Sequence, residues 1–296
     1  MPEALPESRD DRARRLASAW FNRLELGIAT SSLSAASALA AVALVGGLRA
    51  ALSSRWPSAG EVAALYGTGR IESRRIALGI AANEARNRLV LRRTSGRPLA
   101  PFAPRVRFAK EAAAAELQAP LVFVTAHVGA LYLLAAGLDR LWTQRLAIRW
   151  SALHQTAPGE DSAFTSGPVV SRTEALRRGL EGLRQGKIVV TALEGPHGSA
   201  EPGRLLGRRL DFGRGGFALA RLAGVRIAPV AALWERGRVR IDFGRPVEAT
   251  AEAPVEMARW FEALLRRSPR QMSLGLLRQL LQSPALEPPD EDTSGV

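Results

Sequence analysis

The chain has 296 residues, a formal net charge of +13 and no cysteine. It can bury a substantial core, but it can form no disulfide, zinc–thiolate site or cysteine nucleophile. With only three histidines, an all-histidine metal site is not expected, and no metal or other cofactor is assigned.

Lysine occurs only at positions 110 and 187, so arginine carries nearly all the positive charge. Such a surface suits an anionic partner: a phospholipid headgroup layer, an acidic carrier protein or nucleic acid. The arginines are spread along the chain, with no aromatic-interleaved basic block and no zinc or RNP signature. That speaks against nucleic acid.

In chain order, Met1 to Asp11 carries Pro2, Pro6 and several acids, unlike a secretory signal. Arg12 to Arg23 is basic, includes Trp20 and Phe21, and reads as an amphipathic lead-in. Gly27 to Leu48 then runs 22 residues without a charge. At about 1.5 Å per residue, one helix of that length just crosses a hydrocarbon layer of about 30 Å. The run is mostly Ala, Ser and Gly, so it reads either as a small-residue helix packed on the protein or as a membrane anchor. Trp20, Trp56 and the flanking Arg23 and Arg49 favour membrane contact. Residues 1–56 are therefore expected to form a basic, hydrophobic, membrane-associating segment.

Glu61 to Leu91 has helical spacing, and Ser95 to Pro104 is a Gly/Pro-rich connection. Strands are expected at Leu121–Thr125, Leu146–Ala152, Lys187–Leu193, Arg226–Trp234 and Val239–Phe243. Helices are expected at Gly129–Leu141, Thr173–Gln185 and Phe212–Ala223, with closing helices at Val255–Arg267 and Arg270–Gln282. Strand–helix alternation of this kind predicts an α/β domain over residues 57–284, with a mixed or parallel central sheet flanked by helices. The acidic, Pro-rich stretch 285–296 is expected to be disordered.

Three blocks carry candidate chemistry. His127 ends the apolar run Leu121 to Ala126 and begins a helical one. It thus sits at a strand-to-helix junction, where ligands of open α/β sheets bind. The second block is a strand ending in Glu194-Gly195, followed by a Gly/Pro-rich loop. The third is the glycine-led helix from Phe212, which turns at Gly224 into a strand carrying Pro229-Val230.

The order and spacing of these blocks resemble the lysophospholipid acyltransferase superfamily, most closely its lipid A late (lauroyl/myristoyl) acyltransferase branch. The segments Arg259–Leu264 and Ser268–Gln271 look like that branch's closing helices, as does a hydrophobic helix before the domain. The resemblance covers roughly residues 60–282. It implies a glycerolipid-acyltransferase-like domain at the cytoplasmic face of the inner membrane. The implied activity moves a fatty acyl group from an acyl carrier protein or coenzyme A thioester to a hydroxyl of a lipid or glycolipid. It further implies His127 as general base and Glu194 and Gly195 in substrate binding, with anionic membrane lipids as partners.

Two positions depart from the pattern. The family places Asp or Glu five residues after the histidine, where this chain has Tyr132. The branch also carries an arginine between the first two blocks, whereas here none lies between Arg149 and Arg172. A phenol can accept a hydrogen bond from the imidazole but supplies no charge. Tyr132 therefore reads either as a substrate-site residue or as core packing beside Leu131, Leu133 and Leu134. Asp139 lies roughly 18 Å along a helix from His127, too far to replace the acid. That leaves Glu194 as the candidate orienting carboxylate. The loop Gly195–Gly207, with Arg204, Arg208 and Arg209, reads either as a phosphate-binding loop or as a solvated basic one. His154 and the tryptophans read as structural. The alternative to catalysis is a non-catalytic member of the same fold that binds acyl chains or a partner protein.

Overall fold

The computed structural model describes residues 9–52, 56–94, 102–108, 117–138, 150–152, 172–193 and 200–285. Six strands form one sheet: β1 (Val106–Phe108), β2 (Leu121–Thr125), β3 (Trp150–Ala152), β4 (Ile188–Ala192), β7 (Ile227–Glu235) and β8 (Arg238–Phe243), in the order β1-β8-β7-β2-β4-β3. Neighbouring strands are parallel except for the β7–β8 hairpin. Strands β5 (Ala200–Leu205) and β6 (Arg208–Gly213) form a separate antiparallel hairpin. The architecture is α/β with a mixed, mostly parallel sheet flanked by helices, as the alternation of elements predicts.

The nine helices among the described residues are α1 (Arg9–Thr30), α2 (Ala35–Leu52), α3 (Ala59–Tyr66), α4 (Arg70–Thr94), α5 (Leu131–Leu138), α6 (Arg172–Arg184), α7 (Arg214–Ala223), α8 (Ala253–Arg267) and α9 (Leu274–Gln282). Every residue of β2 is buried, which requires cover on both faces of the sheet. Side chains alternate along a strand, and the core divides accordingly. Val122 and Val124 face a cluster with Phe217 of α7, Phe261 of α8 and Leu277 of α9. Leu121 and Phe123 face another, with Leu39 and Val42 of α2, Leu89 of α4 and Leu134 of α5. Full burial of a Val or Leu contributes about 1.5–3 kcal/mol, so α2 is bound firmly to the sheet through α4 and its own apolar face. Gly46 of α2 makes the crossing close. A Cβ there would lie 2.6 Å from the Ala85 side chain and 2.7 Å from the Ala81 carbonyl oxygen.

The charge-free run is not one helix. It breaks at residues 31–34, between α1 and α2. The hydroxyl of Thr30 donates to Leu26 O (3.0 Å) and that of Ser31 to Ile28 O (2.7 Å), closing α1. The guanidinium of Arg93, on α4, donates to the carbonyls of Ile28, Ala29, Ser31 and Leu33. Ser34 then caps α2 by accepting from Ser37 N. These contacts satisfy the carbonyls and amides that a helix terminus leaves open.

The expected helix over Glu61–Leu91 is likewise two. Ser58 and Glu61 form a reciprocal capping box on α3, and Gly67 closes it in the left-handed conformation at φ 64°. Two elements were not expected. Short β1 pairs in parallel with β8, and the segment read as a basic loop contains the β5–β6 hairpin. Residues 139–149 and 286–296 lie outside the described residues. So do the ends of the expected helix Gly129–Leu141 and strand Leu146–Ala152, and nearly all of the acidic tail.

A buried acid joins α1 to α4. Glu25 is 1% exposed, and its carboxylate accepts two hydrogen bonds from Arg88, at 2.7 and 3.0 Å. Arg92 and Arg49 lie 3.6 and 3.8 Å from it. Removing one partner of a buried ion pair costs about 3–5 kcal/mol. Here the arginines are partly exposed and can regain water, which lowers that figure. We expect Glu25→Ala to destabilise the fold by about 2–4 kcal/mol, measured by chemical denaturation, and to increase proteolytic cleavage in α1.

Candidate functional site

The connections after β2 and β3 lead to β4 on one side of β2. Those after β4 lead to β7 on its other side. The carboxyl end of β2 therefore opens where the sheet order switches, the usual position of a ligand crevice. Ala126 continues the buried run and His127 emerges exposed.

Backbone bonds fix the turn that carries this histidine. Ser273 N donates to His127 O (3.1 Å), Gly129 N to Gln271 O (2.5 Å) and Ala130 N to Ala232 O (2.6 Å). Gly129 has φ 59°, and a Cβ on it would fall 2.1 Å from the carbonyl oxygen of Ala232. Only glycine fits there. From the other side, Asn87 Nδ2 of α4 donates to Gly129 O (2.8 Å), while its Oδ1 accepts from Trp234 Nε1 (3.1 Å). The histidine is thus presented from a rigid backbone.

Beside it lies a cavity of about 430 Å³ between the turn, α4 and α9. His127, Tyr132, Glu84, Asn87, Arg88 and Gln279 line it with polar groups. Leu91, Val128, Leu131 and Leu276 line it with apolar ones. A cavity apolar over most of its wall, with a few convergent polar groups, fits a largely hydrophobic ligand carrying a reactive end. Burial pushes the carboxyl of Glu84 above its ordinary range, while Arg88, His127 and Arg278 pull it back down. Glu84 and His127 therefore act on each other electrostatically.

Of the predicted site residues, the structure brings His127 and Tyr132 together. Tyr132 lines the cavity and also packs against the apolar cluster of Phe123 and Leu134. Arg204 and Arg208 do not join them. Arg204 lies with Arg209 and Arg259 on a separate open groove of about 690 Å³. Arg208 flanks the turn of the hairpin and donates to Ser283 O at 3.1 Å. The described part of this segment, from residue 200 on, belongs to the β5–β6 hairpin. Glu262 of α8 holds it by accepting from Leu206 N at 3.0 Å. Glu194 and Gly195 lie outside the described residues, as does His154.

Glu84, Asn87, Arg88 and Gln279 were not singled out from the sequence. A weak signal was present in Asn83 and Asn87. They stand one turn apart inside a long helix, where asparagine is a poor helix former and needs a tertiary reason. Asn83 has one too, donating to Arg270 O at 2.7 Å.

No protein-family model matches the chain, and neither does any curated protein. Gly129→Ala is expected to destabilise the fold by more than about 2 kcal/mol, from left-handed strain plus the clash with Ala232. It should also displace His127, seen as an altered imidazole environment by NMR in the fraction that still folds.

Proposed function

We propose that this chain is a membrane-associated O-acyltransferase. It transfers a fatty acyl group from an acyl carrier protein or coenzyme A thioester to a hydroxyl of a lipid or glycolipid at the cytoplasmic face of the inner membrane. The observation that carries this reading is an exposed histidine at the carboxyl end of a central strand, beside a mainly apolar cavity. The resemblance of the sequence blocks to lipid-acylating enzymes agrees with it. Nucleic acid is not part of the reading.

In the proposed reaction, the neutral imidazole of His127 takes the proton of the acceptor hydroxyl as its oxygen attacks the thioester carbonyl carbon. The tetrahedral intermediate then collapses, the C–S bond breaks, and the imidazolium returns the proton to the leaving thiolate. The products are an ester and a free thiol. Leu91, Val128, Leu131 and Leu276 would cover the acyl chain. No step requires a metal.

The membrane part rests on exposed apolar side chains at the N-terminal helices. Leu16, Trp20 and Leu24 recur every four residues on α1, as Leu44, Leu48 and Leu52 do on α2, and all six are exposed. A charged helix with such a stripe, as α1 is, lies in the interface with its apolar side chains in the lipid, and the exposed leucines of α2 add apolar surface beside it. Helix α2 is also long and apolar enough to cross a membrane by length and composition. Its Ala38, Leu39 and Val42, however, are held in the core beneath the sheet. That engagement supports docking in the membrane plane, with anionic lipids drawn by the positive surface.

Two outcomes are expected. His127→Ala should lower acyl transfer on the order of 10²–10⁴-fold without changing vesicle binding. Mass spectrometry of lipid extracts from cells with and without the chain should show one acyl group gained. Unchanged transfer in the variant would sink the catalytic role. Separately, Trp20→Glu with Leu48→Glu should weaken flotation with anionic vesicles at least about tenfold, while the melting temperature stays close to that of the unaltered chain.

A further inference from the structure

The chain places a tyrosine where an orienting acid would follow the histidine, yet the cavity contains a carboxylate from elsewhere. We infer that Glu84, supplied by helix α4, is the positioning residue that stabilises the protonated imidazole of His127 across their shared cavity. This rests on the proposed role of His127 as a general base.

The geometry begins with the register of α4. Asn83 is tied to Arg270 O, and Asn87 to Gly129 O two residues past the histidine. Positions three and four apart share a helix face, so Glu84 belongs to the same face as Asn87 and Arg88. All three line the cavity with His127. The helix cannot rotate this face away without losing the two asparagine bonds.

Chemistry points the same way. When His127 takes a proton, positive charge appears beside the cavity. A carboxylate stabilises that charge, and a phenol does not. Partial burial of Glu84 weakens solvent screening and strengthens the effect. Arg88, one turn on, is the strongest opposite charge acting on Glu84, although two hydrogen bonds, from its Nε and Nη2, hold its guanidinium on Glu25. The remaining charged neighbours of Glu84 are Arg278 and His127 itself. Tyr132 lines the same cavity and packs against the apolar cluster of Phe123 and Leu134.

The position also carries a stability signature. Burial raises the folded-state pKa of Glu84. The stability contributed by its protonated form is therefore complete at low pH and lost as pH rises through the folded value. Once ionised, the half-buried side chain is a stability cost. Glu84→Gln removes the charge, keeps the shape, and should melt no lower than the unaltered chain.

The test is the titration of His127 by NMR in the full chain, assigned by the signal lost in His127→Ala. No substrate is needed. In Glu84→Gln the midpoint should fall by roughly one unit, the low end of the range for losing a nearby opposite charge. Transfer assays on the same variant should show kcat reduced about tenfold or more, with KM little changed. A midpoint that does not move overturns the inference, whatever the activity. A shifted midpoint in a protein that transfers no acyl group would keep the pair and remove the acyltransferase reading. Equal kcat with an unmoved midpoint would remove the pair and keep that reading.

Discussion

Helix α4 is pinned by polar bonds on two sides, and the arrangement of the cavity depends on this. Toward the sheet, Asn87 bridges Gly129 O and Trp234 Nε1, and Asn83 holds Arg270 O. Toward the N-terminus, Arg88 and Arg92 surround Glu25. Each bond alone is modest, about 0.5–1.5 kcal/mol for a neutral pair and more where a charge is involved. Leaving one of these half-buried groups unpaired costs more than the bond contributes. The network therefore specifies one position for the helix, and with it the distance between the Glu84 wall and the histidine turn.

Gln271 serves the same end from the other side. Its buried amide exchanges two hydrogen bonds with the backbone of Trp234, at 2.7 and 2.9 Å, as a neighbouring strand would. Its own carbonyl receives Gly129 N. The segment leading into α9 is thus tied to both β7 and the turn after β2. Three chain regions distant in sequence meet there, next to the cavity that the turn forms with α4 and α9.

The parts of this arrangement legible in the sequence are those set by local pattern. Leu121–Thr125 is a continuous apolar run ending in a polar junction, and it is a fully buried strand with His127 just beyond it. The closing helices carry strong apolar periodicity and stand where expected. What escaped has tertiary causes. The break after Thr30 is sealed by Arg93, which lies 60 to 65 residues later. The β5–β6 hairpin turns through Leu206 at φ 51° and Gly207 at φ 73°; β6 alternates over only Arg209 to Phe212, and β5, with Pro202 and Gly203, carries no strand pattern. Glu84 could not be assigned because its neighbour in space, Asn87, meets the histidine turn at a separation of 42 residues.

The grip of Arg93 on four carbonyls has a mechanical consequence. One planar cation clasps the last turn of α1 and the connection that follows it, so that corner cannot lift from α4 without giving up these bonds. The same helix α4 that holds this corner also lines the cavity beside His127, through Glu84, Asn87 and Arg88.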